Sequence, residues 1–558
     1  MNSRRIVVMI ILLLCLSALL ARLFYLNFID KGFLQQQGDS RSMRHIVLAA
    51  KRGMIVDRYD VPLAVSTPVA AIIVDPQDLN KADPEWPEAL KLLNLNPSQV
   101  AKQLLARQNS NFMYLKRQLP PALAAKIKAL NVKGVYVQPE YRRFYPNGDV
   151  FAQVIGFNSI DDQGQEGIEL YYNKWLSGKD GYKNVQRDLK GQAVSQIGDY
   201  RPAEDGKPIA LSIDRRIQYL TYHALVQEQQ KTKALAATAV VMDVRSGEIL
   251  AIATVPSFNP NSRADRKADD ARNRAVTDVF EPGSTMKPFS AIAILQSGLY
   301  TPDSIVDTNP GYITIGNRTF HDVHDYGLLT LTGVLQKSSN VGIAKMILSI
   351  SPAYLLNLLP SLGFGKLTGI DFPGESAGVL PRRSNWGKIP LASLAFGYGI
   401  SCTVMQLAEA YATLADNGIM HSPTLLRQAQ VPAGKPVLPA NLANQVLNML
   451  QTVIETGGTG TKAQVFGYQI AGKTGTSRKA VGGHYLQGHY IGLFAGVAPL
   501  SNPRLVMVVM IDDPRGGEYF GGSVAAPVFS QVMQQSLRLL AIPPDRIPAA
   551  AGKVKVSS

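Results

Sequence analysis

The chain has 558 residues, too many for one ordinary hydrophobic core, so two or three domains are expected. Its 57 Lys+Arg against 42 Asp+Glu give a net charge of +15, and a 46% hydrophobic content is that of a globular protein. No zinc-knuckle spacing and no basic run interleaved with aromatics accompanies the charge, so no nucleic acid is expected as a partner.

The N-terminus comes first. Arg4 and Arg5 precede residues 6–21, which carry no charge, and after Arg22 the apolar character resumes through Leu26. At 1.5 Å per residue, residues 6–26 cover about 31 Å, enough to cross a hydrocarbon core. Arg22 can snorkel to the interface. Two leading arginines favour a cytoplasmic N-terminus and an exported remainder. No small-x-small site follows the run, so a retained anchor is expected rather than a cleaved signal. Leu14 is too bulky for a lipoprotein cleavage box ending at Cys15. The only cysteines, Cys15 and Cys402, cannot meet if one lies in the membrane, and neither has metal-ligand company.

Residues 27 to about 210 alternate short apolar stretches, such as residues 70–74, with polar and helical pieces. Pro84, Pro87, Pro97, Pro120 and Pro121 punctuate them. This reads as a non-catalytic α+β module. Residues 239–244, the turn Arg245-Ser246-Gly247 and residues 248–254 read as a β-hairpin. Helical stretches dominate from about 285 to 460, with residues 333–350 and 404–416 as examples. Strands return around residues 470–476, at 490–498 and, as a continuous apolar run, at 505–511. One antiparallel sheet closed by early and late segments, with helices against its faces, gives an α+β fold. The expected divisions are 1–26 (cytoplasmic N-terminus and anchor), 27–210 (non-catalytic module), 211–545 (catalytic domain) and 546–558 (disordered tail).

Ser284-Thr285-Met286-Lys287, after Pro282-Gly283, is the single Ser-x-x-Lys of the chain. Ser284 and Lys287 fall on the same helix face. A serine hydroxyl is a poor nucleophile until a neighbour takes its proton. A lysine can do so if desolvation and a second cation lower its pKa, and Lys473 is a candidate for that cation. Lys337-Ser338-Ser339-Asn340 and Gly472-Lys473-Thr474-Gly475-Thr476 follow downstream. Singly, the first is also a helix cap and the second a strand ending in a turn. Ser338 is a candidate proton relay, and Asn340 a candidate holder of a substrate amide. Thr474-Gly475-Thr476 is a candidate strand edge for an extended peptide, with Gly475 leaving room for its backbone.

The ordered set Ser-x-x-Lys, Ser-x-Asn, Lys-Thr-Gly resembles the active site of penicillin-binding proteins and serine β-lactamases. The resemblance implies a serine β-lactamase-like domain with a five-stranded antiparallel sheet flanked by helices. It also implies an oxyanion hole from the backbone N–H groups of Ser284 and Thr476, and a carboxylate grip by Thr474 and Thr476. Lys51-Arg52-Gly53-Met54-Ile55-Val56-Asp57-Arg58, Arg142-Arg143-Phe144-Tyr145-Pro146 and residues 164–169 resemble class B penicillin-binding proteins, which carry a dimerisation or pedestal module. That family continues the first motif with Asn/Asp-Gly where this chain has Tyr59-Asp60. Lys473 to Lys479 and Ala395-Phe396-Gly397-Tyr398-Gly399 resemble the septal, division-specific type, whose tyrosine, here Tyr398, lines the cleft.

Such a protein is a D,D-transpeptidase that cross-links peptidoglycan stem peptides through a serine acyl-enzyme and is blocked by β-lactam antibiotics. The resemblance implies no cofactor and no metal. It places the protein in the inner membrane as a single-pass protein with a periplasmic catalytic domain. It implies a polytopic glycan polymerase and other division proteins as partners. The alternatives are an elongation-specific class B enzyme, a β-lactamase, or a scaffold or sensor without transpeptidase activity. The pairs His321/His324 and His484/His489 lack the carboxylate-and-histidine pattern of a metal site.

Overall fold

The computed structural model describes residues 2–34, 43–187, 193–263 and 267–546. The expected tail after Pro544 lies almost wholly outside them. The chain divides into two compact units. One holds Met1–Gly53, Ser66–Arg142 and Ser177–Lys207; the other holds Met54–Val65, Arg143–Leu176 and Pro208–Ser558.

The first unit begins with a helix at Asn2–Phe24 that passes into a π-helical turn at Tyr25–Ile29. Residues Ser3–Ile29 form one helical rod whose uncharged stretch at residues 6–21 is strongly apolar and not buried in protein. At about 1.5 Å per residue such a rod is long enough to span a bilayer. Elsewhere in this unit Met113–Leu119 pairs antiparallel with residues 70–74, and the helices Trp86–Leu92, Pro97–Ala106 and Pro121–Ala129 cover the pair. Ile72, Val74, Trp86, Leu90, Leu104 and Ile127 form its core. Asn96 caps the second of these helices by accepting from Ser98 and Gln99, and Pro97 stands in its first turn.

The second unit is built on a five-stranded sheet. Its strands are β1 (Ala236–Asp243), β2 (Ile249–Val255), β3 (Ala471–Val481), β4 (His484–Ala498) and β5 (Leu505–Asp512). The order is β2-β1-β5-β4-β3, every pair antiparallel. The early hairpin thus meets the late strands in mid-sheet, where Val240 pairs with Val508. β5 is buried along its whole length, as an apolar run covered on both faces must be. Helices α1 (Arg215–Thr232) and α6 (Ala526–Leu539) pack together, α1 on β1 and β2, while α5 (Val404–Ala415) packs on β1, β5 and β4. The helices α2 (Lys287–Gln296), α3 (Leu331–Lys337) and α4 (Asn340–Leu348) complete the part that carries the site.

Two sequence expectations need correction, and one departure from the family pattern is explained. Residues 333–350 are two helices, because Ser338 at φ +58° ends α3 and Ser339 caps α4 through Gly342 N–H. β4 begins at His484 and β3 runs on to Val481, so the late strands overhang the sheet as a ribbon with exposed side chains. That ribbon lacks the apolar signal used to read strands. Asp60, where the family usually has glycine, adopts φ +62°, and Asp57 accepts the N–H groups of Tyr59 and Val61 across the turn. Aspartate tolerates this left-handed geometry better than most residues, so the turn survives the exchange.

Candidate active site

Ser284 lies in a short 3-10 turn, Gly283–Met286, that opens directly into α2. With three residues per turn, Ser284 and Lys287 stand on one side of it. The turn is fixed from several directions. Thr285 Oγ1 donates to Pro282 O at 2.6 Å, and the buried Tyr411 of α5 donates to Thr285 O at 2.8 Å. Gly283 takes φ +53° and donates its N–H to Gly397 O at 3.1 Å. Phe280 and Cys402 exchange both backbone bonds at 3.0 Å. The segment bearing Tyr398 is therefore laid along the segment bearing the nucleophile, and a side chain on Gly397 would come within 2.1 Å of Gly283 O.

Lys287 is wholly buried. Its Nζ donates to Ser338 O, to Asn340 Oδ1 at 2.8 Å and to Ser338 Oγ at 3.2 Å. Lys473 Nζ reaches the same Ser338 Oγ at 2.8 Å and Thr474 O at 3.2 Å. Ser338 Oγ is thus a bridge between two buried amines. Burial holds Lys287 down to about 7, with the Asp322 carboxylate pulling the other way. Burial, and then the charge of Lys287, hold Lys473 well below its usual value. Sequence reasoning expected desolvation and a second cation to lower the Lys287 pKa; burial is the leading cause at both amines, and their like charges oppose each other across Ser338.

The hydroxyl of Ser284, half-buried at the cleft, has no hydrogen-bond partner among the described residues. The structure therefore joins Lys287, Ser338, Asn340 and Lys473 in one network and leaves the Ser284 hydroxyl outside it. Asn340 is occupied on both sides of its amide, since Nδ2 donates to His321 O at 2.9 Å. Thr474 Oγ1 pairs with Thr459 Oγ1 at 2.7 Å, and Thr476 Oγ1 accepts Gly521 N–H at 3.1 Å. β3 is an edge strand, so alternate backbone groups face away from β4. A Cβ on Gly475 would meet Thr285 Cγ2 at 2.8 Å and Pro282 O at 3.2 Å, so the glycine also lets β3 close on the nucleophile turn.

Two residues that sequence reasoning missed organise the site. Asp322 accepts from Ser339 Oγ and Asn340 N–H, and from Val341 N–H at 3.0 Å, which fixes the start of α4. Glu281 accepts Gly399 N–H at 2.8 Å and the Tyr485 hydroxyl at 2.9 Å, tying the overhanging ribbon to the nucleophile segment. Neither lies in a recognisable motif, because both act across contacts remote in sequence. A cavity of about 520 Å³ opens beside Asn340, lined by Tyr398, Tyr485, Trp386 and Arg478 among others. A second hollow, about 610 Å³ between α1 and α6, includes none of Ser284, Lys287, Ser338, Asn340 and Lys473. Among the described residues no three His, Cys, Asp or Glu side chains converge as metal ligands.

A hydroxyl at the head of a helix, two buried amines around a bridging serine and an edge strand closed against them define a serine acyltransferase domain. Residues 237–534 match the penicillin binding protein transpeptidase domain, and residues 47–211 match the penicillin-binding protein dimerisation domain. The chain is 43% identical over 555 residues to the "Probable peptidoglycan D,D-transpeptidase PbpC" of Pseudomonas aeruginosa, covering 99% of this chain and 98% of that one. It is 40% identical over 543 residues to "Peptidoglycan D,D-transpeptidase FtsI" of Escherichia coli K12, covering 96% and 92%. The structure resembles penicillin-binding protein 3 of Mycobacterium tuberculosis complexed with aztreonam, with TM-score 0.69, 28% identity and coverage of 89% and 98%. The chain belongs to the class B penicillin-binding proteins.

Proposed function

We propose that the chain is a septal peptidoglycan D,D-transpeptidase acting through an acyl-enzyme on Ser284. The observation that carries this reading is the buried Lys287 amine, held near neutrality by desolvation one turn after Ser284. Its lone pair is available at physiological pH, which is the condition for general-base activation of a serine.

Ser284 Oγ attacks the carbonyl carbon between two terminal D-alanines and gives its proton to Lys287 Nζ. The N–H groups of Ser284 and Thr476 receive the oxyanion, each such donor contributing about 10²–10³ in rate. The C–N bond breaks, and the departing D-alanine takes a proton through Ser338, which already touches both amines. The amine of a second stem then attacks the ester carbonyl. A C–N bond forms, the bond to Ser284 Oγ breaks, and the serine recovers its proton. Thr474 and Thr476 hold the donor's carboxylate along β3, and Tyr398 closes the cleft. A β-lactam enters as a donor and stalls at the ester.

The septal assignment is supported by relatives named FtsI and by the sequence of β3. It carries with it a periplasmic catalytic domain behind the apolar N-terminal helix, and a polytopic glycan polymerase and other division proteins as partners. The test is labelling with a fluorescent penicillin, with Ser284→Ala and Lys287→Ala beside the wild type, followed by intact mass over hours. A lasting adduct that both variants lose supports the transpeptidase. Rapid turnover identifies a β-lactamase, and no adduct on folded wild type leaves a scaffold.

A further inference from the structure

A third hollow, of about 440 Å³, lies away from the cleft, and among the described residues no Lys, Arg, His, Asp or Glu lines it. Gln296 at its edge is the last residue of α2, about 14 Å along the axis from Lys287 at the head of that helix. Tyr354, Asn357 and Ser361 come from the helix Ala353–Ser361, where spacings of three and four place them on one face. Leu358 and Leu438 give it a buried apolar floor, and the Tyr354 ring is packed against the domain core. The two serines are engaged locally: Ser351 Oγ accepts Ala353 N–H at 3.4 Å, and Ser361 Oγ donates to Leu358 O at 2.7 Å. The amides of Gln296 and Asn357 and the hydroxyl of Tyr354 have no partner among the described residues.

Such a lining selects its ligand. A charged ligand would meet no opposite charge there. A wholly apolar one would cover two amides and a phenol without pairing them. A neutral ligand rich in hydroxyl and amide groups satisfies both conditions, since a side-chain amide donates and accepts as a hydroxyl does. The Tyr354 ring and the leucine floor suit the C–H face that a sugar ring presents. The volume is that of a small-ligand site. We propose that this hollow is a carbohydrate site, which holds N-acetylhexosamine units of a glycan strand while the cleft works on peptides. The acetamido groups of such sugars match the open amides of Gln296 and Asn357. The source of the strand rests on the transpeptidase reading; the sugar chemistry rests on the lining alone. A strand held at the foot of α2 keeps the enzyme on its substrate between acyl transfers at the head.

The test uses the full-length chain in detergent and two neutral probes, a β-1,4-linked tetramer of N-acetylglucosamine and the matching tetramer of glucose. Binding is read by titration calorimetry. Wild type is expected to bind the acetamido tetramer about tenfold or more tighter than the glucose tetramer. The Q296A/N357A double variant, whose two exchanged side chains are exposed and whose fold is checked by circular dichroism, is expected to lose about tenfold of that affinity. No binding by wild type, or equal binding of the two probes, overturns the proposal without any variant having to fold. So does undiminished affinity in the folded double variant. Protection of Ser284 from a fluorescent penicillin by saturating tetramer would place the sugar in the cleft and overturn it as well. A wild type that binds the tetramer yet forms no penicillin adduct keeps the carbohydrate site and loses the transpeptidase reading, so the two failures are told apart.

Discussion

Acylation of Ser284 should fall as the medium is acidified, with an inflection near pH 7. Lys287 titrates at about 7 because its amine is wholly buried. The base-competent fraction is then about one half at pH 7, about nine-tenths at pH 8 and about one-tenth at pH 6. The Asp322 carboxylate raises that pKa, so Asp322→Asn should move the inflection to lower pH. The variant would retain a larger share of its plateau rate at pH 6 than wild type does, even if the plateau itself drops through the weakened hold on α4. The assay is the second-order rate of labelling by a fluorescent penicillin from pH 5.5 to 9. A rate that stays flat between pH 6 and 8 on folded protein would remove Lys287 from the role of base. An inflection that moves upward in Asp322→Asn would refute the electrostatic argument.

Three further outcomes are expected. Gly475→Ala forces β3 off the nucleophile turn, since its Cβ meets Thr285 at 2.8 Å; overpacking of this kind costs about 1–3 kcal/mol, and penicillin labelling should slow by tenfold or more at an intact fold judged by circular dichroism. Tyr411→Phe leaves Thr285 O without its buried donor, which costs about 1–3 kcal/mol and should appear as a lowered melting temperature. Lys287→Met should abolish labelling and change the pH dependence of stability. The folded pKa is depressed to about 7 from 10.5, so between those values the unfolded chain holds more of the proton. Wild type therefore gains on the variant by about 1.4 kcal/mol per pH unit as pH rises through that window, and not below it. Denaturant midpoints of the two proteins that run parallel from pH 7 to 9 would contradict this.

Much of the site was legible because chemistry restricts which side chains can serve. A nucleophile, an amine one turn on and a second amine on a strand leave a sequence trace in Ser284, Lys287 and Lys473. The core strands were legible for another reason: the strand Leu505–Asp512 is buried along its length, and its residues 505–511 read as an unbroken apolar run. The ribbon joining β3 to β4 is exposed, so nothing in its polar residues marked it as strand. Ser338-Ser339-Asn340 was read as either a motif or a helix cap, and in the structure it is both. Ser339 caps α4, and that break turns Ser338 and Asn340 toward Lys287. Asp322 and Glu281 were invisible, because a carboxylate that accepts backbone N–H groups has no partner nearby in sequence. Arg143 and Glu169, from two stretches that the sequence offered only as separate points of resemblance, pair at 2.6 Å in the interior.

The way the sheet is closed has a consequence for the order of events during synthesis. β1 and β2 are made early, yet β1 finds its inner neighbour only in β5, and Lys473 joins Ser338 only once β3 is present. Pairings between such distant segments form late in folding, because the intervening chain must first be ordered. A growing chain therefore carries Ser284 and Lys287 for a long interval without the sheet that buries the amine. During that interval Lys287 is an ordinary solvated lysine and remains protonated, so the serine stays inert. Reactivity is switched on by the last strands to emerge, and a chain truncated before Leu505 would be chemically silent even with its nucleophile intact.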